Sequence, residues 1–237
     1  MASLRRAWDE NANAWVRWAG AGHDSYWRFH GRRFLELLPP PGRLTVDIGS
    51  GEGRLGRELI GRGHRVVALD SSLLLARAAV SHKVPQPVVA ADAAALPLRP
   101  GCADLVIAFM SLQDVDDFVA AISEAARLLA PQARLCIAIV HPLNSAGRFE
   151  GEREDRDAPF VVSGSYLAAH RYRDDIERDG MAMTFHSEHR PLEAYSRALE
   201  QAGLVIEAIR EVTEEDPADR WSRIPLFLHI RASRRTS

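Results

Sequence analysis

The 237-residue sequence is poor in cysteine, with two, and in lysine, with one, Lys83. Cys102 and Cys136 sit in or beside apolar runs and show neither C-x-x-C spacing nor a histidine close by in sequence, so they read as reduced core residues. Positive charge is carried almost wholly by scattered arginines and the formal net charge is −2; this is not the footprint of a nucleic-acid binder. No stretch reaches the ~18 apolar residues of a membrane span. The opening MASLRRAWDENANAW lacks the continuous apolar segment of a secretory signal. These absences lead us to expect a cytoplasmic protein, monomer or homodimer, without membrane or nucleic-acid partners, acting on a small molecule.

What is present begins with aromatics. Residues 1–40 read as an N-terminal helical cap holding Trp8, Trp15, Trp18, Tyr26, Trp27, Phe29 and Phe34, closed by the proline-rich LELLPPPG. From residue 43 to 141, apolar runs alternate with helical patterns: RLTVDI, then RLGRELIGRG; HRVVALD, with Ser71 as a helix cap, then LLLARAAV; PVVAAD, ending at Asp92; ADLVIAFMS, then a helix DDFVAAISEAARLLAP ended by Pro131; and ARLCIAIVH, ending at His141. Fully apolar strands separated by helices predict a doubly wound, mostly parallel α/β sheet covered on both faces, within one domain over 1–237. Residues 142–190 break the rhythm with charged and β-like pieces and are read as an insertion of loop and hairpin rather than another βα unit, a candidate lid, because loops beyond ~15 residues in compact domains are uncommon unless they are functional lids or disordered. Residues 191–237 supply a helix starting at Pro191 and the last two strands.

Ligands of such sheets bind beyond the carboxyl ends of the strands. There the sequence offers TVDIGSGEGRLGREL, whose glycines follow a strand and precede a helix. It parses as Gly49-x-Gly51-x-Gly53 or as Gly51-x-Gly53-x-x-Gly56, the second being the dinucleotide spacing. Asp70, about 20 residues on, is placed to accept hydrogen bonds from ribose hydroxyls. Asp47 and Glu52 would repel a pyrophosphate and suit a cationic amine, a charge pattern that favours S-adenosylmethionine over a nicotinamide cofactor.

VDIGSGEGRLGREL, VVALDSS, AADAAALPL, DLVIAFMSLQDVDD and LLAPQARLCIAIVHP together resemble the successive motifs of class I S-adenosylmethionine-dependent methyltransferases, in their small-molecule branch. The resemblance covers residues 43–141. It implies a Rossmann-like sheet of seven strands with the last antiparallel, and S-adenosylmethionine as cofactor. Asp47 would engage the methionine amino group, and Gly49, Ser50 and Gly51 would line the cofactor. Asp70 and Ser71 would lie at the ribose, Asp92 and Ala93 at the adenine, and Met110 and Ser111 beneath the cofactor. Where relatives have Pro-Gly-Gly before the fifth strand, this chain has Pro131-Gln132-Ala133, for which a different turn geometry is expected. The implied reaction moves a methyl group to an oxygen or nitrogen of a small acceptor. The alternatives are a nicotinamide-dependent oxidoreductase and a non-catalytic binding module of the same fold.

For the transfer itself, His141 is the first candidate base, since imidazole titrates near neutral pH; it would equally serve to pack on Pro142 and order the insertion. Trp15, Tyr26, Asp114, Tyr166, His186, His189 and Arg190 are candidate acceptor contacts. Asp116 and Asp117 read as first-turn acids of the helix that follows. His186-x-x-His189 lacks a third ligand and a helical i, i+4 pair, so no metal is expected.

Overall fold

The computed structural model describes residues 3–81 and 86–235. Helix α1 spans Leu4–Gly20 and is capped by Ser3, whose hydroxyl accepts the Arg6 N–H at 3.2 Å. A π-helical turn, Tyr26–His30, leads into α2, Gly31–Leu35. The alternating core follows: β1 (Thr45–Ile48), α3 (Arg54–Gly61), β2 (Val66–Asp70), α4 (Leu73–Ser81), β3 (Val88–Ala90), β4 (Ala103–Phe109), α5 (Phe118–Leu128) and β5 (Leu129–Val140). After it come α6 (Pro142–Ala146), a short hairpin β6 (Gly147–Phe149) and β7 (Phe160–Val162), and a longer hairpin β8 (His170–Arg178) and β9 (Met181–His189). The chain closes with α7 (Leu192–Gln201), β10 (Leu204–Val212) and β11 (Phe227–Arg234).

Seven strands form one sheet in the order β10-β11-β5-β4-β1-β2-β3. All are parallel except β11, which runs antiparallel to both β5 and β10. Because side chains alternate across a strand, both faces of the central strands must be apolar to be covered by helices. In β4, Val106 and Ala108 join one core with Ile122, Ile137 and Leu199, while Leu105 and Ile107 join the other with Phe34, Leu59 and Cys136. Strand order reverses between β1 and β4, which places the ligand crevice beyond Ile48 and Phe109.

Several boundaries depart from the sequence reading. Strand β3 stops at Ala90, two residues before Asp92. Helix α5 ends at Leu128 and β5 begins before Pro131. The β4–β5 register jumps between Leu105 and Ala103, so Pro131 and Gln132 fall in a bulge, where a missing ladder donor is tolerated. Gln132 takes φ 64°, in the left-handed region that glycine enters more readily. Ser72, rather than Ser71, caps α4, its hydroxyl accepting the Leu75 N–H. Asp117 is the N-cap of α5, accepting the Ala120 N–H at 2.9 Å, and Asp116, one residue earlier, lies outside the first turn and accepts from Leu4 N–H and Arg171.

Candidate active site

At the carboxyl end of the sheet lies a cavity of about 710 Å³. Its floor is the turn after β1. Gly49, Gly51 and Gly53 have φ of 71°, 58° and 81°, in the left-handed region that side chains resist. A Cβ on Gly49 would collide with Ser111, whose hydroxyl donates to the Ile48 carbonyl at 2.8 Å and pins the ends of β1 and β4 together. Met110, just before Ser111, also has positive φ, 52°, an uncommon state for methionine that redirects the chain as it leaves β4.

Three acids stand along this floor. Asp47 is buried, lines the cavity, and its Oδ2 has no hydrogen-bond partner. Burial, with the neighbouring Asp70 charge adding to it, pushes its carboxyl up to about 7. Asp70 accepts the Gly51 N–H on Oδ2 and the Ser72 N–H on Oδ1, each at 2.8 Å. Its carboxyl is raised by burial, with those two bonds working the other way. Asp92 is exposed and accepts the Ala94 N–H at 2.9 Å, turning the chain so that Ala93 is buried at the wall. Ser50 and Ser71 line the same cavity, and the Ser50 hydroxyl is buried without a partner.

Glu52 does not add to this acidic floor in the way its sequence position suggests. Its carboxylate accepts from Arg57 at 2.6 Å and lies 3.5 Å from Arg54, so its charge is balanced. Gly56 is a helix residue pressed against Gln86, where a Cβ would collide with that side chain. It packs on the segment before β3.

The roof comes from both ends of the core. Helix α1 contributes Trp8, Trp15 and Trp18, the π-helical turn contributes Tyr26, and the β8–β9 hairpin contributes Tyr172, Asp174, Phe185 and Ser187. Phe185 meets Trp8, Trp15 and Trp18 edge to face, with centroids 6.4, 6.2 and 6.3 Å away. Tyr26 is buried, its hydroxyl has no partner, and burial pushes its phenol up to about 12. Asp114, in the turn after β4, reaches the cavity and accepts the Ser187 hydroxyl at 2.6 Å.

Five sequence-derived candidates do not reach it. His141 accepts the Leu143 N–H on Nδ1 at 3.0 Å, so Nε2 carries the proton and faces Glu211 at 3.2 Å. Both ring nitrogens are engaged, burial holds its pKa below the usual value, and the cavity is lined by its neighbour Val140 instead. This is not the arrangement of a base. His189 is buried between the Ser145 hydroxyl, 2.7 Å, and the Tyr166 carbonyl, 2.8 Å. Tyr166 is an internal brace of the insertion, its hydroxyl accepting the Leu192 N–H at 3.1 Å. His186 falls on the opposite face of β9 from Phe185 and Ser187, since neighbours in a strand point to opposite faces, and it cannot share a ligand with His189 for the same reason. Among the described residues no group of three or more metal-ligating side chains is assembled.

Arg190 also lies outside the cavity lining, but close behind it. It donates to the Leu112 and Val115 carbonyls at 3.1 and 2.8 Å and stacks on Phe118, fixing the turn that presents Asp114. The sequence reading missed Trp8, Gln113, Tyr172, Phe185 and Ser187. Trp8, Trp15 and Trp18 are spaced i, i+7, i+10, one helical stripe, which was the available signal. Phe185 and Ser187 flank His186, and choosing their face required knowing which side of the hairpin is covered.

This is the fold of class I S-adenosylmethionine-dependent methyltransferases. A S-adenosylmethionine-dependent methyltransferase from Mesorhizobium loti superposes with a TM-score of 0.70 at 21% identity, covering 85% of this chain and 95% of its own. A glycopeptide N-methyltransferase complexed with S-adenosylmethionine gives 0.62 at 16% identity, over 86% and 92% of the two chains. Residues 46–137, in the sheet core, match the methyltransferase domain family. Demethylmenaquinone methyltransferase of Mycolicibacterium gilvum (strain PYR-GCK) is 35% identical over 116 residues, 49% of each chain. The chain thus spans about half the length of the curated relatives it matches. No helix among the described residues is long and apolar enough to cross a membrane.

Proposed function

We propose that the protein is a S-adenosylmethionine-dependent methyltransferase that modifies an oxygen or nitrogen of a small acceptor held under the aromatic roof. The observation that carries this reading is Asp47 Oδ2, a buried carboxylate oxygen without a partner on the wall of the cavity. A buried charge requires a counter-charge. An amino acid ammonium answers it, and a pyrophosphate would worsen it.

Asp47 would hold the methionine amino group, with Gly49, Ser50 and Gly51 giving the ligand access to backbone. Asp70, already aligned by two N–H groups, keeps lone pairs for the ribose hydroxyls. Asp92 and Ala93 would recognise the adenine, and Met110 and Ser111 would lie beneath the cofactor. Ser71 lies beside Asp70. The bound cofactor supplies an electrophilic methyl on a sulfonium; the protein's contribution is to align the acceptor and exclude water. Residues 142–190, with residues 3–40, form the acceptor side.

Calorimetry with S-adenosylhomocysteine and NAD tests this. Micromolar binding of S-adenosylhomocysteine, lost in Asp70→Ala, with none for NAD, is the expected outcome. Binding of NAD alone overturns it.

A further inference from the structure

Under the roof, Trp8, Trp15 and Phe185 stand edge to face. The three interplanar angles are 89°, 73° and 79°, with centroids 5.8, 6.4 and 6.2 Å apart, so they make three nearly perpendicular walls. Beside them is Asp114. Its Oδ1 accepts the Ser187 hydroxyl at 2.6 Å, its Oδ2 has the Gln113 amide at 3.4 Å, and the Trp8 indole lies next to it. Arg190, the neighbouring cation, is held by Glu188 at 2.8 Å and by the Leu112 and Val115 carbonyls. Tyr172 stands near Ser187 and Asp114. Gln113 Oε1 is buried without a partner on the same wall.

The chamber thus combines π faces with oxygen acceptors. An ammonium has up to three N–H groups to donate and no lone pair to offend those oxygens, and it is drawn to aromatic faces. An alcohol or quinol oxygen brings lone pairs of its own, and a carboxylate is repelled. Two of the arginines on the cavity wall are balanced: Arg28 pairs with Glu214 and Arg54 with Asp24.

We propose that the acceptor is a primary or secondary amine on an aromatic or apolar body, seated as its ammonium between Trp8, Trp15 and Phe185 and hydrogen-bonded to Asp114 and the Gln113 carbonyl. The assignment of the amine as methyl acceptor rests on the methyltransferase reading above; the amine chamber itself does not. One N–H proton passes to Asp114, the nitrogen retains the electron pair of that bond, and the carboxylate becomes a neutral acid; that pair would then form the N–C bond to the methyl carbon as its bond to sulfur breaks, the electrons leaving with the sulfur as a neutral thioether. Burial pushes the Asp114 carboxyl up to about 8 despite Ser187, Arg190 and Gln113, which brings it within range of an ammonium; it is the carboxylate form, present as pH approaches 8 and favoured by a cation beside it, that holds the amine and takes its proton.

Tryptophan fluorescence of the full chain, with and without S-adenosylhomocysteine, reads the chamber directly. Phenethylamine should bind at least tenfold more tightly than phenethyl alcohol, and phenylacetate should not bind. Asp114→Asn should reduce amine affinity tenfold or more while S-adenosylhomocysteine affinity stays within twofold. Phe185→Leu, which keeps volume and removes a π face, should reduce amine affinity about fivefold and guards against a folding defect in the first variant. With labelled S-adenosylmethionine, label should enter phenethylamine in preference to a naphthoquinol. Equal affinity for amine and alcohol, indifference of amine binding to both variants, or label entering the quinol alone overturns the proposal. Selective amine binding without S-adenosylhomocysteine binding would instead overturn the methyltransferase reading and leave the chamber standing.

Discussion

Asp47 shows how a single side chain trades folding against ligand. Its carboxyl is raised from 3.8 to about 7, so the folded protein holds that proton more firmly than the unfolded chain does. The corresponding stability is present at low pH and is lost as pH rises through about 7. Asparagine is neutral throughout, so Asp47→Asn should raise the Tm of the ligand-free protein at pH 8 by roughly 5–10 °C, with the gain shrinking by pH 5 in scanning fluorimetry. The same substitution should weaken S-adenosylhomocysteine about tenfold or more, because a charge-assisted contact is lost. A gain over wild type no larger at pH 8 than at pH 5 would refute the stability argument. Asp47, Asp70 and the glycine turn were legible in the sequence because strand ends and glycine spacing fix their positions. His141 was misread because its one-residue step from Val140, which decides the face it takes, depends on where the strand stops.

Among the elements, the π-helical turn is joined to β11 by a buried histidine pair. His30 Nδ1 lies 2.8 Å from His229 Nε2, and His30 Nε2 lies 3.2 Å from the Ser25 hydroxyl, with Phe34, Phe109 and Phe227 around them. Burial drives both pKa values down, that of His229 from 6.5 to about 4, with Arg33 contributing there. The unfolded chain therefore takes up protons that the folded one refuses. The pair's stability is full above about 6.5 and declines as pH falls toward about 4. Asp47 and Asp114 titrate with the opposite sign, so the comparison must be with a variant: His30→Leu/His229→Leu should lose less Tm than the wild type between pH 7 and pH 5. Equal losses would assign the acid sensitivity elsewhere. The strands and helices of the core were legible from alternation, but this pair was not, since two histidines 199 residues apart carry no joint signal.

At the scale of the whole molecule, the cavity is closed by contacts between distant segments. Leu4 N–H donates to Asp116 at 3.1 Å, Arg178 donates to the His23 carbonyl at 2.9 Å, and Arg171 pairs with Asp116 at 2.5 Å. Filling the floor should tighten all of them together. S-adenosylhomocysteine at about 100 times its Kd should raise stability by ~2.7 kcal/mol, or roughly 5–10 °C in Tm, and should slow amide exchange in α1 and β8–β9 as well as in the β1 turn. Protection confined to the β1 turn would separate roof from floor. The insertion was legible as a break in rhythm made of loop and hairpin, but the pairing of its strands into two hairpins was not, because they hold few buried apolar positions. The matched domain, 46–137, holds the floor and none of the roof apart from the turn at Asp114. On the proposed reading, descent recorded in the floor is no record of diet: acceptor choice would reside in α1 and the β8–β9 hairpin, and exchanging those two segments between chains that share this core is the transplant expected to carry it along.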